Sequence, residues 1–453
     1  MCGVFGESEA KNVALDAYAA LYAMLHRGKE GAGIVTGDGR KYKFHKGTGT
    51  VDVVFGGEGI LPGLVGQYGI AHIRYSTTGE KSLDNTQPIK GLFRDKEFFI
   101  AHNGNLTHQK GLRAKIEREG FSLKTTVDTE MIAALITLSK KSDFVDAFKE
   151  AISQVTGTFS LTALYGDLVL GARDPWGNRP LIIGARDQST MFSSETAVFD
   201  VLRAKTIREV EPGEIVVIDP SLKSDWYSIR YSPGKEGLCS FEFVYYQRPD
   251  SKLLDKRILS VREQMGKYLA QEHPVEADIV VSVPDSGNFA AIGFSQESGI
   301  PMEWGALLRD HNTGRTFIAP LGDRAKLLSL KFNVVPEKVV GRSVVLVDDS
   351  IVRATVMPKL VKNFKEAGAR EIHVRISSPP YAHACWYGID TCRVEGELVA
   401  KKHNGNVEAI RQEIGADTLG YLSLENMEKS ISGNSPMGFC NACFTGNYPI
   451  PIG

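Results

Sequence analysis

Near Ser232 the apolar rhythm of the chain changes, and this switch limits the possible folds more than any other feature of the sequence. Before it, short apolar runs are bounded by glycine: the run ending at His102, residues 161–165, 168–172 with 181–184, and 214–218. Such runs suit packed antiparallel sheets. Between them, Val13, Ala17, Leu21, Met24 and Leu25 share one face at helical spacing, as do parts of 129–138. After it, strand, glycine-containing turn and helix alternate as in βαβ units. Residues 279–283 are apolar except for Ser282 and lead into Pro284-Asp285-Ser286-Gly287, and 344–347 lead into Asp348-Asp349-Ser350 and a helix that Gly368 is placed to end. Strands buried on both faces imply a parallel sheet, and ligands bind at the C-terminal ends of such strands. Both polar turns stand where a site is expected. There is no internal repeat, and the one biased segment is the glycine-rich stretch 47–66.

A chain of 453 residues is long enough for two cores. We therefore expect two domains, 2–232 and 233–453, of α+β and α/β class respectively. A charged content of 24% and a net charge of -1 give no electrostatic case for nucleic acid or an anionic membrane, so the expected partners are small molecules. No basic region followed by an apolar run opens the sequence, and no apolar stretch reaches the roughly 18 residues a bilayer requires. The expected location is cytoplasmic. Six cysteines without dense spacing point to reduced thiols used for chemistry or metal.

Met1 is followed by the small residue Cys2, which favours removal of the methionine and would leave Cys2 with a thiol and a free α-amine. An α-amine titrates near about 7.7–8.0, so it can accept the proton of its own thiol at neutral pH without a histidine. Five further fragments follow in order: Cys2-Gly3-Val4-Phe5-Gly6, Leu25-His26-Arg27-Gly28, His72-Ile73-Arg74-Tyr75-Ser76-Thr77, His102-Asn103-Gly104-Asn105 and Asp128-Thr129-Glu130. Together they resemble the N-terminal-nucleophile glutamine amidotransferases, whose αββα sandwich is the fold implied for this half. The resemblance implies Cys2 as nucleophile, Asn103 and Gly104 as the oxyanion hole, and Arg27, Arg74 and Asp128 as glutamine ligands, with Arg74 on the α-carboxylate and Asp128 on the α-amine. Taken alone, Asn103-Gly104 also reads as a hairpin turn. His26 and His72 read as structural. Lys29 stands where that family usually has glutamine.

In the second half, the acidic strand end suits a phosphorylated sugar, because carboxylates engage ribose hydroxyls while backbone N–H groups and a helix N-terminus cradle phosphate. By itself, a strand ending in Asp-Asp also occurs in metal and response-regulator sites. Its neighbours are Phe241-Glu242-Phe243-Val244-Tyr245, Arg248-Pro249-Asp250-Ser251, Val283-Pro284-Asp285-Ser286-Gly287, Gly314-Arg315-Thr316-Phe317-Ile318 and 373–380. With them the whole chain resembles the amidophosphoribosyltransferases, which join the glutaminase to a type I phosphoribosyltransferase domain. The resemblance implies glutamine and phosphoribosyl pyrophosphate as substrates, with ammonia passed internally. It implies acceptor ligands Asp348, Asp349, Ser350, Arg353, Thr355, Ser286 and Arg315, and Mg²⁺ held near Ser286, Asp348 and Asp349. It also implies a homotetramer or homodimer inhibited by purine nucleotides.

Two departures stand out. The family pattern continues Arg-Gly-Thr-Thr where this chain has Arg353-Ala354-Thr355-Val356, and Lys-Asn-Arg-Tyr where it has Arg309-Asp310-His311-Asn312. Glycine admits positive φ and close approach of phosphate, so these changes raise the alternative of a divergent paralogue with an intact glutaminase and another acceptor or a regulatory role. Cys440-Asn441-Ala442-Cys443 alone fits zinc, redox chemistry or neither. In one branch of the family, cysteines placed like Cys239, Cys385, Cys440 and Cys443 ligate a [4Fe-4S] cluster, so the resemblance implies one cluster per chain. Cys392 is left over and is expected to be buried.

Overall fold

The computed structural model describes residues 1–75, 82–222, 224–310, 332–433 and 437–452. The strands of the first half, in chain order, are β1 (Gly3–Ser8), β2 (Gly31–Gly37), β3 (Tyr42–Thr48), β4 (Tyr68–Arg74), β5 (Ile89–Phe93), β6 (Lys96–Leu106), β7 (Gly157–Tyr165), β8 (Leu168–Arg173), β9 (Ile182–Arg186), β10 (Ser189–Ser193), β11 (Lys205–Glu209), β12 (Glu214–Ile218) and β13 (Trp226–Arg230). They form two antiparallel sheets, of order β11-β9-β10-β1-β4-β2-β3 and β13-β12-β8-β7-β6-β5. Successive side chains of a strand point to opposite faces, so neighbours serve different layers. Val4 enters the core between the sheets, whereas Phe5 packs outward beneath the helix Val13–Ala23. On the far side, Ile100, Leu161 and Ile215 pack against the helices Asp128–Leu138 and Phe144–Ile152. The layers therefore run αββα.

Local chemistry sets the helix starts. Asn12 caps its helix by accepting from Leu15 N at 3.2 Å, and Asp143 accepts from Val145 N at 2.8 Å. The glycine-rich stretch is ordered into two short helices, Val51–Phe55 and Ile60–Gly63.

The second half is built on a four-stranded parallel sheet in the order Ile279–Ser282, Ser343–Asp348, Glu371–Ile376, Thr418–Tyr421. Val280, Val345 and Val347 face the helices Ile258–Glu272 and Asn288–Ser298, while Val281, Val344 and Leu346 face Met357–Glu366 and Val407–Ile414. The Met357–Glu366 helix gives way to Gly368 at φ 89°, as expected of a terminating glycine. No helix among the described residues is long and apolar enough to cross a membrane.

Glu7 is one of the buried carboxylates outside both site regions. Glu7 on β1 is fully buried; it accepts from Ser189 Oγ at 2.5 Å, and its other oxygen lacks a hydrogen-bond partner. Burial, reinforced by the Asp16 carboxylate, pushes its pKa up to about 8. A carboxyl raised in the folded state stabilises fully below its unfolded pKa of about 4.5, and that contribution disappears as pH rises through about 8. Glu7→Gln should therefore gain on the parent between pH 5 and pH 9. Thermal melts across that range would show its Tm, relative to the parent, rising with pH; a constant offset would contradict the assignment.

Candidate active sites

Cys2 immediately precedes β1 and is 8% exposed. Its Sγ lies 3.5 Å from both the backbone nitrogen and the carbonyl oxygen of Tyr75. Burial pushes the thiol up, while the N-terminal ammonium, the Tyr75 N–H and Arg74 pull it down. Arg74 ends β4 and is nearly buried; its Nη1 donates to Ser82 O at 3.3 Å, and both Cys2 and Asp128 act on its charge. Asp128 opens its helix and accepts from Leu106 N at 2.9 Å, with His102 Nδ1 3.4 Å from its other oxygen. Burial works against charging His102, but Asp128 beside it raises the imidazole; burial alone would raise Asp128, and His102 carries it below its ordinary value.

Asn103 and Gly104 are not a hairpin turn. They lie within β6, opposite Ser160 and Phe159 of β7. The Asn103 side chain is 1% exposed, and its Nδ2 has no hydrogen-bond partner. Gly104 has φ 135°, and a Cβ there would come within 2.2 Å of Thr158 O, so this position admits only glycine. The buried Asn103 amide is thus a donor without an acceptor, next to a glycine whose backbone conformation is fixed by close packing.

Arg27 has a different place from the one expected. It is fully buried behind Cys2: Nε donates to Cys2 O at 2.8 Å, Nη1 to Glu195 at 2.7 Å and Glu242 at 3.1 Å, and Nη2 to Glu242 at 3.0 Å. With its hydrogens engaged there, it supports Cys2 and joins the two halves instead of facing a glutamine pocket. His26 reaches the same Glu195 oxygen at 2.6 Å, and His72 is buried with Nε2 3.1 Å from His102 O. Burial would raise Glu195, but His26 and Arg27 hold it at about 2.

In the second half, two turns meet at adjacent parallel strand ends. A Cβ on Gly287 would lie 2.5 Å from Val347 O and 3.1 Å from Asp348 Cα, so the turn carrying Ser286 sits directly on the acidic strand. Asp349 N donates to Asp348 Oδ1 at 2.9 Å, and Ser350 Oγ donates to Asp349 Oδ1 at 2.5 Å. Arg353 reaches Glu397 at 3.2 Å, and Thr355 is exposed. The helix expected after the acidic strand begins only at Met357, after an irregular turn in which Ala354 adopts φ 50°. Arg309 is ion-paired with Asp285. Arg315, the segment 314–318, His311, Asn312, Ser76 and Thr77 lie outside the described residues.

Besides Cys2, the cysteines separate into a group of four and one apart. Cys239 and Cys440 face each other across a short parallel pairing, and both act electrostatically on Cys443, as does Cys385. All four are buried. Burial pushes Cys239 up to about 11 and Cys440 up to about 12. The Arg179 guanidinium, also fully buried, feels Cys239, Cys385 and Cys440, and its Nη1 makes no hydrogen bond. Among the described residues no three His, Cys, Asp or Glu side chains form a group able to hold a single metal ion. Cys392 is only half-buried, contrary to expectation, because it starts a short 3₁₀ helix, Cys392–Glu397, that buries none of its residues.

A glutamine amidotransferase domain matches residues 72–201. The amidophosphoribosyltransferase of Bacillus subtilis is 43% identical over 459 residues, covering 100% of this chain and 94% of the relative. That of Methanocaldococcus jannaschii is 41% identical over 472 residues, covering 100% and 98%. The chain belongs to the amidophosphoribosyltransferase family. Among solved structures, the glutamine phosphoribosylpyrophosphate amidotransferase of B. subtilis complexed with ADP and GMP matches with a TM-score of 0.92 at 42% identity, covering 100% of this chain and 98% of that chain. The two-part fold expected of the family is the one observed.

Sequence reasoning gave no role to Glu195, Arg179 or Thr158, and quoted Glu242 only inside a motif. Their partners lie far away along the chain, and only folding brings them together. Arg27 yields the clearest test. Replacing it with methionine strands two buried carboxylates, and Arg27→Met should lose about 3–5 kcal/mol in urea unfolding. Adding Glu242→Gln should recover part of that loss; a neutral single variant would contradict the clamp.

Proposed function

We propose that the residues just described carry out the amidophosphoribosyltransferase reaction in two half-reactions, glutamine hydrolysis in residues 2–232 and phosphoribosyl transfer in 233–453. The observation that carries the first is the buried, unpartnered Asn103 amide beside Gly104, in a half where Cys2, Arg74 and Asp128 act on one another.

In this reading Arg74 and Asp128 hold the α-carboxylate and α-ammonium of glutamine, and the α-amine exposed by loss of Met1 takes the thiol proton. The Cys2 sulfur attacks the side-chain carbonyl, and Asn103 Nδ2 and Gly104 N–H donate to the oxyanion that forms. Collapse to a thioester expels ammonia, which leaves with the proton the amine had taken. Water then releases glutamate and restores the thiol. Ammonia in neutral water is mostly protonated and so lacks its lone pair, which makes transfer through a dry interior chemically useful. In the second half the nitrogen attacks the anomeric carbon of phosphoribosyl pyrophosphate, pyrophosphate leaves, and 5-phosphoribosylamine forms. Asp348 and Asp349 suit the ribose hydroxyls, and Ser350, Arg353 and Thr355 surround the turn that would receive the 5-phosphate, with Arg315 as a further ligand. Mg²⁺, bound near Ser286, Asp348 and Asp349, would neutralise the leaving pyrophosphate. ADP and GMP are bound in the B. subtilis structure, which supports purine nucleotides as inhibitors here.

The donor set of Cys239, Cys385, Cys440 and Cys443 suits a [4Fe-4S] cluster. Four buried thiols from three segments lie within electrostatic reach of one another, and four thiolates are what such a cluster takes. When bound it would fasten the C-terminal segment to the second half.

Cys2→Ser should abolish glutamine-dependent phosphoribosylamine formation and leave the ammonia-dependent reaction. Asn103→Ala should lower glutamine-dependent kcat by about 10²–10³, also sparing the ammonia-dependent rate. Glutamine turnover without pyrophosphate release would refute the acceptor assignment. For the cysteines, iron and acid-labile sulfide in anaerobically purified protein should reach about four each per chain; one zinc and no visible absorbance would refute the cluster.

A further inference from the structure

The backbone of the proposed oxyanion strand is covered by the other half of the molecule. Gly388, in the loop after Cys385, has φ 118°, and a Cβ there would stand 3.2 Å from Gly104 C, 3.2 Å from Gly104 O and 3.3 Å from Gly104 Cα. This is direct backbone-to-backbone contact between the acceptor half and the oxyanion glycine. The two preceding residues hold the loop in place. Trp386 O accepts from Asn105 Nδ2 at 2.8 Å. Tyr387 O accepts from Thr158 Oγ1 at 2.9 Å and from Arg179 Nε at 3.0 Å and Nη2 at 2.5 Å. Thr158 Oγ1 in turn accepts from Asn105 N at 3.2 Å, which ties Tyr387 to the residue after Gly104. Behind the loop, the Tyr387 hydroxyl is bonded to both the N–H and the carbonyl of Ile450.

We infer that the Trp386–Gly388 loop of the acceptor half is a positioning element for glutamine hydrolysis, fixing the Gly104 peptide between Thr158 on one side and Gly388 on the other. The inference rests on the oxyanion role proposed for Gly104. A glycine at φ 135° has no side chain to fix the direction of its N–H, so neighbouring backbone must do so. An oxyanion donor is effective only when held close to its productive geometry. Gly388 meets that need because its φ of 118° disfavours any side chain and a Cβ there would crowd the Gly104 backbone at 3.2 Å.

The test measures glutamine-dependent and ammonia-dependent phosphoribosylamine formation in Gly388→Ala, Thr158→Val and Cys2→Ser. A methyl at 388 must displace either its own loop or Gly104. In Gly388→Ala, glutamine-dependent kcat should fall roughly ten- to a hundredfold, with the KM for glutamine within about twofold and the ammonia-dependent rate retained. Thr158→Val, nearly isosteric, removes the hydroxyl link and should show a smaller loss of the same kind; it keeps the test open should Gly388→Ala fail to fold. Parental glutamine kcat in both variants, or equal loss of both activities, overturns the inference. If that happens while Cys2→Ser is inactive with glutamine, the nucleophile assignment stands and only the loop's role is lost. Glutamine turnover by Cys2→Ser would instead overturn the assignment on which the inference rests.

Discussion

Everything at the junction of the two halves depends on a guanidinium with no access to water. Burying one charge is expensive unless its field is answered and its hydrogens are bonded. Arg27 meets both conditions with a carboxylate from each half, Glu195 and Glu242. Its Nε holds the Cys2 carbonyl, so the same side chain that fastens the halves also fixes the residue bearing the thiol. Glu195 extends the tie, since its other oxygen accepts from Arg248 N and Ser251 Oγ, both at 2.9 Å. An isolated glutaminase half would leave Arg27 without Glu242 and Glu195 without these donors. The Cys2 carbonyl is thus held by a cation whose own partners come from both halves.

The electrostatic field of the junction reaches further. Arg262 is buried in the second half and donates to Phe243 O and Gln247 O. Burial lowers its pKa to about 10 against the pull of Asp349 and Glu195. One cation therefore feels Asp349 in the second half and Glu195 in the first. The cysteine-bearing segments approach the same junction, because Arg179, which senses three of the thiols, also donates to Tyr387 O. Chemistry in the two halves is separate, but the groups that hold it in place are shared.

How much of this was legible in the sequence follows from contact range. The two-part fold was readable because its strand runs, turns and helix faces are signals local to short stretches of chain. The parallel sheet was readable because both-face burial leaves uninterrupted apolar runs. Arg27 was misread for the opposite reason: its motif is local, but its role is set by Glu195 and Glu242, 168 and 215 positions away. Gly388 carried no signal at all, since a glycine's need for close approach appears only when the approaching backbone is known. Cys392 was misjudged because a cysteine's usual burial is a tendency, and here the chain bends at the surface.

The altered acceptor turn shows how packing can replace a permissive residue. A non-glycine residue in the left-handed region costs about 1–2 kcal/mol, and Ala354 nevertheless adopts φ 50°. What holds it there is its surroundings: Ala354 and Val356 both pack against the core that contains Leu346, Ile351 and Met357. Ile351 and Met357 flank the turn and are buried, so its two ends are fixed and the residues between must span a set distance. Under that constraint the conformation a glycine adopts freely is imposed on an alanine. The departure from the family pattern at this turn is therefore accommodated by packing at its two buried ends, in a chain 43% identical to the amidophosphoribosyltransferase of Bacillus subtilis over 459 residues.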